Sequence, residues 1–302
     1  MSTAYTESID QLANTGWVLI EGFSAPDELR VLQKAAYEHF PTLEAYEADP
    51  TAHHSLQGDQ FAGMIMFPFA QTPLTDFSLS SAVVALVEQI YGSADLRLLR
   101  AAIQAKYAGA ADYDQPLHFD YPNHTLVVPG GDRAYAPLGF FLYLEDITEE
   151  LGPTHLVARE HAPSTDQVET HFFPDLEPTL DQAILGWAPE LYDREVAAVG
   201  PAGSLLVYWT DTLHRGTAMT AAAGLRLTLS WAYGRAWSWQ GFQCWPRLGE
   251  DQHLKALVAR ATPQQRTLLG FPTVDDPYWT AENLAAVGAR YPGMDLAPYR
   301  SS

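Results

Sequence analysis

The segment Pro116-Leu117-His118-Phe119-Asp120 places an imidazole and a carboxylate two residues apart. Side chains at alternate positions of an extended chain project to the same side, so both groups can reach a single metal ion. The pair is weak evidence on its own, because an acid two residues after a histidine also arises by chance as a surface pair. It nominates His118 and Asp120 as two ligands of a metal site.

A second candidate imidazole is His214, in Asp211-Thr212-Leu213-His214-Arg215-Gly216, directly after the apolar run Leu205–Trp209. A histidine at the end of a strand can lie beside His118 and Asp120 when the sheet closes. Two imidazoles and one carboxylate on one face of a metal suit Fe(II), and they leave positions open for a co-substrate and O2. We therefore expect an iron site formed by His118, Asp120 and His214.

Polar side chains alternate with apolar ones on two further stretches of the chain. From Leu225 onward, alternation puts Arg226 and Thr228 on the face opposite to the leucines. A guanidinium inside a barrel is costly unless it is paired with an anion, and a bound carboxylate would satisfy it through the bidentate fork of arginine. Gln104 and Lys106 also share one side of their strand. They are candidates to contact the same co-substrate or the substrate, or else they form a solvated strand face.

Several aromatic and sulfur-containing side chains near these motifs could line a substrate pocket, although core packing is the more frequent role of such residues. The candidates for substrate contact are Tyr107, Met66, Phe67, Trp231 and Trp237. Asp211 could support His214 as a hydrogen-bond partner, or it could be an ordinary residue of the turn that ends a strand.

The order of predicted elements favours one domain. Strand character is found at Leu96–Tyr107, Leu138–Glu145, Gly203–Trp209 and Leu225–Tyr233, and helical patterns at about 26–39, Ser81–Tyr91, His253–Ala261 and Ala281–Arg290. No long helical repeat alternates with the strands, which argues against a parallel doubly wound sheet. We predict a mostly β fold with flanking helices, an antiparallel double-stranded β-helix (jelly roll, cupin-like). It would form a single catalytic domain over 1–302, with a helical N-terminal part at about 1–95, the jelly-roll core at about 96–245, and a C-terminal segment at about 246–302 packed on the core.

Charge and composition exclude several classes of partner. The 302 residues carry a formal charge of -20, from 17 Lys+Arg against 37 Asp+Glu, which repels nucleic acid and anionic lipid. We therefore expect a small-molecule substrate, with no nucleic acid or membrane partner. The acidic N-terminus and the lack of an apolar stretch approaching ~20 residues predict a soluble cytoplasmic protein. Cys244 is the single cysteine, which excludes an internal disulfide framework and a thiolate cluster.

These motifs together resemble the phytanoyl-CoA dioxygenase-like (PhyH) family of Fe(II)/2-oxoglutarate-dependent oxygenases. The likeness is carried by the ligand candidates, by Arg226, and by the run Leu-Tyr-Leu-Glu-Asp-Ile-Thr-Glu-Glu-Leu-Gly-Pro at 142–153. That run resembles the family's LxDxTxENGP stretch and is the most specific part, because no chemistry requires it. Glu145 and Leu151 depart from the commoner Asp and Asn, and Ala158-Arg159-Glu160-His161 stands where the family usually has PGSH.

The resemblance implies an oxidoreductase that uses Fe(II), 2-oxoglutarate and O2, and that hydroxylates a C–H bond of a small, partly apolar molecule with release of succinate and CO2. It implies iron on His118, Asp120 and His214 and the distal carboxylate of 2-oxoglutarate on Arg226, with Gln104, Lys106 and Thr228 as further cofactor-binding candidates. Asp120 favours hydroxylation, because a halogenating relative would lack this carboxylate. The alternatives are a catalytically silent, metal-binding cupin-like module and a metal-dependent hydrolase, neither of which needs an internal arginine.

Overall fold

The computed structural model describes residues 5–58, 61–110, 114–120, 136–162, 189–235 and 251–300. Its strands form two antiparallel sheets. They are β1 (Trp17–Ile20), β2 (Ile65–Met66), β3 (Leu96–Tyr107), β4 (Leu138–Tyr143), β5 (Thr154–Val157), β6 (Glu195–Ala197), β7 (Leu205–Trp209), β8 (His214–Gly216) and β9 (Leu225–Arg235). The large sheet has the order β1-β7-β4-β9-β3-β2, and the small sheet has the order β6-β5-β8.

Helices account for much of the chain before β3 and after β9. They are α1 (Thr6–Thr15), α2 (Pro26–Ala36), α3 (Leu43–Ala48), α4 (Thr72–Phe77), α5 (Ser81–Tyr91), α6 (Gln252–Arg260), α7 (Pro263–Leu268) and α8 (Ala281–Arg290). The prediction of a mostly β fold was therefore wrong in its proportions, and the protein is a mixed helix and sheet structure. The physical reason is that the large sheet has an apolar outer face, which the helices cover.

The N-terminal part of the chain contributes strands as well as helices. The N-terminal part supplies β1, which pairs with β7, and β2, which pairs with β3, so it extends the large sheet at both edges. Within the described part of the chain, no helix combines the length and the apolar character needed to cross a membrane.

The pairing of β3 with β9 determines which side chains face the helices. Register partners such as Ile103 with Leu229 and Ala105 with Leu227 point to the same side of the sheet, and all four belong to the main core together with residues of the helices. Because successive side chains alternate, the even-numbered residues of this stretch of β9 lie on the opposite face.

That opposite face of the large sheet packs against the small sheet. Tyr143 and Leu206 of the large sheet and Leu156 of the small sheet belong to one buried cluster. Tyr143 is the register partner of Thr228, so Thr228 lies on the same face. We call this side of the large sheet the inner face. It is the face that can present polar groups to a site enclosed between the two sheets.

Candidate metal centre

The three candidate ligands are brought together by backbone pairing between two distant segments. The His118 N–H donates to the His214 carbonyl at 2.9 Å, and the His214 N–H returns a hydrogen bond to the His118 carbonyl at 3.0 Å. The Asp120 N–H then donates to the carbonyl of Thr210 at 3.0 Å. This antiparallel bridge joins the 114–120 segment to β8, so the ligand side chains converge although they are far apart in sequence.

The donor atoms of His118, Asp120 and His214 all lie within 4.8 Å of one another. The His118 Nε2 is 3.6 Å from Asp120 Oδ1, and the His214 Nε2 is 3.5 Å from Asp120 Oδ2. The side chains are only 12%, 17% and 7% exposed, in the order His118, Asp120, His214. The arrangement is a small, nearly enclosed set of two nitrogens and a carboxylate.

Hydrogen bonds to the backbone orient both imidazoles for metal binding. The Nδ1 atom of His118 lies 2.8 Å from the Pro116 carbonyl oxygen, and that of His214 lies 2.9 Å from the Thr212 carbonyl oxygen. A carbonyl oxygen can only accept, so each Nδ1 carries a proton, and in the neutral imidazole the lone pair on Nε2 is the one available to a metal. Both lone-pair nitrogens are the atoms that approach Asp120. This donor set fits a divalent transition metal such as iron.

The charge of Asp120 also favours a cation at this point. Burial lowers the pKa of His214, but the charge of Asp120 and a hydrogen bond to it raise that pKa, and the net result is a pKa above its ordinary value. The carboxylate therefore attracts positive charge between itself and the imidazole. A bound metal ion supplies that charge in place of a proton.

Tyr208, on β7, is part of the site, and sequence reasoning missed it. Its hydroxyl donates to Asp120 Oδ2 at 2.6 Å, and its ring centroid is 4.9 Å from that of His214. The side chain is buried, and its register partner on β4 is Gly139. A signal existed in the sequence, because Tyr208 is a polar aromatic residue inside an otherwise apolar strand that leads to His214.

The four predicted cofactor-binding residues are neighbours on the inner face. Lys106 and Arg226 are register partners across β3 and β9, and Gln104 and Thr228 form another pair in the same register. Lys106 is only 4% exposed. Burial raises the pKa of Tyr143, the partner of Thr228 on β4, and the positive charge of Arg226 acts to lower it. The two cations and the two polar side chains thus lie together between the sheets.

The structure does not bring three of the predicted substrate contacts to this site. Phe67, Tyr107 and Trp231 are each 1% exposed and belong to the main core under the helices. Trp231 stacks on Phe140, and Tyr107 stacks on Tyr46. Alternation along β3 and β9 places Tyr107 and Trp231 on the face opposite to Lys106 and Arg226, so their size serves packing.

Met66 differs from these core residues. It is the register partner of Ala102, which lies on the inner-face side of β3, and it is 37% exposed at the edge of the large sheet. It therefore stays a candidate for contact with a substrate. The remaining candidate, Trp237, lies outside the described residues.

Asp211 was a candidate hydrogen-bond partner of His214 or else an ordinary turn residue. The structure shows no bond between Asp211 and the His214 ring among the described residues. The carboxylate of Asp211 pairs with Arg159, and the His214 Nδ1 bonds to the Thr212 carbonyl. The ring of His214 is therefore oriented by its own backbone neighbourhood.

A charged network that sequence reasoning missed holds the strand of His214 in place. The next residue, Arg215, donates from Nε to Glu195 Oε1 at 2.7 Å and from a terminal nitrogen to Oε2 at 3.0 Å. It also lies 3.4 Å from Asp114, in the segment that leads to His118. His155 of β5 contacts Glu195 at 2.8 Å. These contacts join all three strands of the small sheet and the 114–120 segment.

Comparison with known proteins agrees with this geometry. The family model described as Phytanoyl-CoA dioxygenase (PhyH) matches residues 12–226. The chain belongs to the phytanoyl-CoA dioxygenase family. The matched stretch contains His118, Asp120 and His214 and ends at Arg226, so the resemblance inferred from the motifs is confirmed. Among curated protein sequences, none matches this chain closely enough to count as a relative.

Solved structures of similar fold include three enzymes that were crystallised with 2-oxoglutarate (alpha ketoglutarate). One is the epimerase SnoN in complex with Fe3+, alpha ketoglutarate and nogalamycin RO, at 18% identity, covering 78% of this chain and 84% of that chain, with a TM-score of 0.56. Another is EctD from S. alaskensis with 2-oxoglutarate and 5-hydroxyectoine, at 15% identity, covering 78% of this chain and 77% of that chain, with a TM-score of 0.54. A third is HygX from Streptomyces hygroscopicus with nickel, 2-oxoglutarate and hygromycin B, at 17% identity, covering 77% of this chain and 89% of that chain, with a TM-score of 0.51. At these identities the likeness is one of fold.

Proposed function

We propose that this member of the phytanoyl-CoA dioxygenase family is an Fe(II)- and 2-oxoglutarate-dependent dioxygenase that hydroxylates a C–H bond of a small, partly apolar molecule, with release of succinate and CO2. The observation that carries the proposal is the convergence of the donor atoms of His118, Asp120 and His214 within 4.8 Å. The fold of three 2-oxoglutarate-complexed enzymes supports it.

The positions of the residues suggest a role for each of them, either in metal binding or in co-substrate binding. His118, Asp120 and His214 would hold Fe(II), which when bound activates O2 at the expense of 2-oxoglutarate for attack on a C–H bond. Arg226 and Lys106 would bind the distal carboxylate of 2-oxoglutarate, because these two cations are register partners and can both donate hydrogen bonds to one carboxylate.

Polar residues beside these cations would complete the co-substrate pocket. Gln104 and Thr228 are register partners and can supply an amide and a hydroxyl to the carboxylate oxygens. The burial of Lys106 excludes bulk water from this end, which strengthens charge-assisted hydrogen bonds to a bound anion.

The architecture fits a single catalytic domain over 1–302. We propose that the two facing sheets form the double-stranded β-helix of this class of enzymes, with helices before β3 and after β9 covering its outer side. The buried cluster that contains Leu156, Leu206 and Tyr143 joins the sheets around the pocket. A silent metal-binding module or a hydrolase would use the metal ligands, but it would have no need of the Arg226 and Lys106 pair.

The charge of the protein bears on the class of substrate. A formal charge of -20 disfavours a polyanionic substrate, and Met66 offers exposed apolar surface at the sheet edge. We therefore propose a small, partly apolar molecule, with Met66 among the residues that contact it.

The test is an anaerobic titration of the Fe(II)-loaded protein with 2-oxoglutarate, following the weak visible charge-transfer band of the chelate. We expect the band in wild type, its loss in His214→Ala, and a much higher 2-oxoglutarate requirement in Arg226→Ala. Arg97→Ala is the control, because it removes a cation from β3 that is bonded to Asp95 and the Leu96 carbonyl. Its titration should match wild type.

Two results decide the proposal. If iron-loaded wild type shows no band and binds no 2-oxoglutarate, the dioxygenase assignment is wrong. If the band forms, substrates are screened by succinate release under 18O2. Incorporation of one labelled oxygen into the product supports hydroxylation, whereas turnover without incorporation contradicts it and indicates an epimerase-type or ring-forming reaction instead.

A further inference from the structure

We propose that Tyr208 is a positioning residue that holds the Asp120 carboxylate in its metal-binding orientation from a slot opened by Gly139. The inference rests on the proposed function, because Asp120 acts as a metal ligand only if the site binds metal. Tyr208 would then belong to the site as a residue that supports a metal ligand without binding the metal itself.

The contact between Tyr208 and Asp120 is directional. The phenol is 2.6 Å from Oδ2 and must donate, because a carboxylate oxygen accepts. Each carboxylate oxygen faces one imidazole, since Oδ1 lies 3.6 Å from the His118 Nε2 and Oδ2 lies 3.5 Å from the His214 Nε2. The hydrogen bond from the phenol draws electron density from Oδ2, so Oδ1 is the better donor to a metal. A carboxylate that bound through both oxygens would occupy a position that the co-substrate and O2 need. The hydrogen bond therefore favours binding through one oxygen.

Backbone hydrogen bonds do not fix the orientation of the Asp120 carboxylate, so a side chain must do so. The Asp120 N–H is held by the Thr210 carbonyl at 3.0 Å, but that hydrogen bond does not restrict rotation of the carboxylate about the side-chain bonds. Tyr208 comes from β7, an interior strand of the large sheet that is paired with β1 on one side and with β4 on the other. Its ring also lies 4.9 Å from the His214 ring, so one side chain contacts two of the three ligands.

Gly139 makes the position of the Tyr208 ring possible. The two residues are register partners on β4 and β7. A Cβ added at Gly139 would lie 2.4 Å from atoms of the Tyr208 ring, which is far inside van der Waals contact. Phe141, two residues further along β4, stacks on the same ring with centroids 5.9 Å apart. The ring is therefore confined to one place, and any larger residue at 139 would have to displace it.

Co(II) is the probe that tests the inference, because its visible absorption reports coordination without turnover. Metal-free wild type and Tyr208→Phe are titrated anaerobically with Co(II), and affinity and band shape are compared. Loss of a group that orients a metal ligand typically weakens metal binding about 10–100-fold, and we expect a loss in that range with a changed spectrum. Gly139→Ala keeps the hydroxyl but displaces the ring, so it should change the spectrum in the same direction.

Tyr233→Phe is the matched control. Its buried hydroxyl donates to the Ser78 carbonyl at 2.6 Å on the outer side of the sheet, so the variant loses a hydrogen bond of the same length away from the metal ligands. We expect wild-type Co(II) affinity and spectrum from it. Thermal unfolding of both phenylalanine variants compares their stability.

The outcomes separate this inference from the proposed function. Wild-type Co(II) affinity and spectrum in Tyr208→Phe overturn the inference, as does an equal loss in Tyr233→Phe, which would indicate general destabilisation. A selective loss in Tyr208→Phe supports it. If wild type binds Co(II) but forms no charge-transfer band with Fe(II) and 2-oxoglutarate, the dioxygenase assignment fails, while a selective loss of Co(II) binding in Tyr208→Phe still supports the role of Tyr208. If wild type binds no metal, both are wrong.

Discussion

Replacing Arg215 with alanine should destabilise the small sheet strongly, because it breaks a largely buried ion pair. The side chains of Arg215 and Glu195 are 14% and 5% exposed, and they share hydrogen bonds of 2.7 and 3.0 Å. Removing one partner of a buried pair costs about 3–5 kcal/mol, because the other charge stays buried. Glu195 keeps its contact with His155 at 2.8 Å. We therefore expect the lower end, a loss of about 3 kcal/mol in the free energy of unfolding.

Urea denaturation of the metal-free protein, followed by far-ultraviolet circular dichroism, measures this loss. Arg30→Ala is the matched control, because Arg30 pairs with Asp27 at side-chain exposures of 67% and 90%. Exposed pairs of this kind contribute at most about 1 kcal/mol. The Arg215→Ala/Glu195→Ala double variant removes both charges and should be less destabilised than the sum of the single variants.

The reasoning is refuted if Arg215→Ala loses no more stability than Arg30→Ala. It is also refuted if the stability loss of the double variant equals the sum of the losses of the two single variants. The predicted loss comes from a charge left without its partner, and the double variant contains no such charge. A confirmed loss would show that the strand carrying His214 depends on a side chain that points away from the metal.

Three further results are expected. In urea denaturation, Gly152→Ala should lose clearly more stability than Gly92→Ala. Both glycines have a positive φ, at 64° and 60°, so both substitutions strain the backbone. A Cβ at Gly152 would also lie 2.5 Å from a backbone oxygen, whereas a Cβ at Gly92 would have no neighbour within 4 Å. The loss at Gly92 should be about 1–2 kcal/mol, and equal losses would contradict the argument. Arg226→Lys keeps the charge but not the fork, so isothermal titration should show about tenfold weaker 2-oxoglutarate binding, and unchanged binding would count against a bidentate contact. Thr262→Ala removes the capping box of α7 and should lower the free energy of unfolding by about 1 kcal/mol, whereas no change would show that the cap is unimportant.

Local patterns in the sequence predicted several elements at their observed bounds. The helix Ser81–Tyr91 ends at Gly92 in the left-handed conformation, which glycine adopts readily at the end of a helix. The strand Leu96–Tyr107 and the helix Ala281–Arg290 also agree with their predicted bounds. These elements are encoded locally, by alternation, helical spacing and caps. The balance of helix and sheet was misjudged because the helices outside β3–β9 were treated as decoration.

Other features depended on contacts that no local pattern shows. Phe67, Tyr107 and Trp231 were expected near the substrate, yet they pack in the main core. Alternation tells which residues share a face, but it does not tell which face the helices cover. The partners of Tyr208 and of Arg215 were not predicted, because Asp120 and Glu195 lie on distant segments of the chain.

The sequence by itself determined the chemistry that the protein can carry. The types and spacing of His118 and Asp120, the histidine after an apolar strand and the alternating Arg226 predicted the metal ligands and the co-substrate contacts, because side-chain direction follows from backbone period. Only the tertiary structure decided that the donor atoms converge within 4.8 Å and that Tyr208 donates a hydrogen bond to Asp120. That convergence depends on strand register and sheet packing between distant segments, and these are properties of the whole chain.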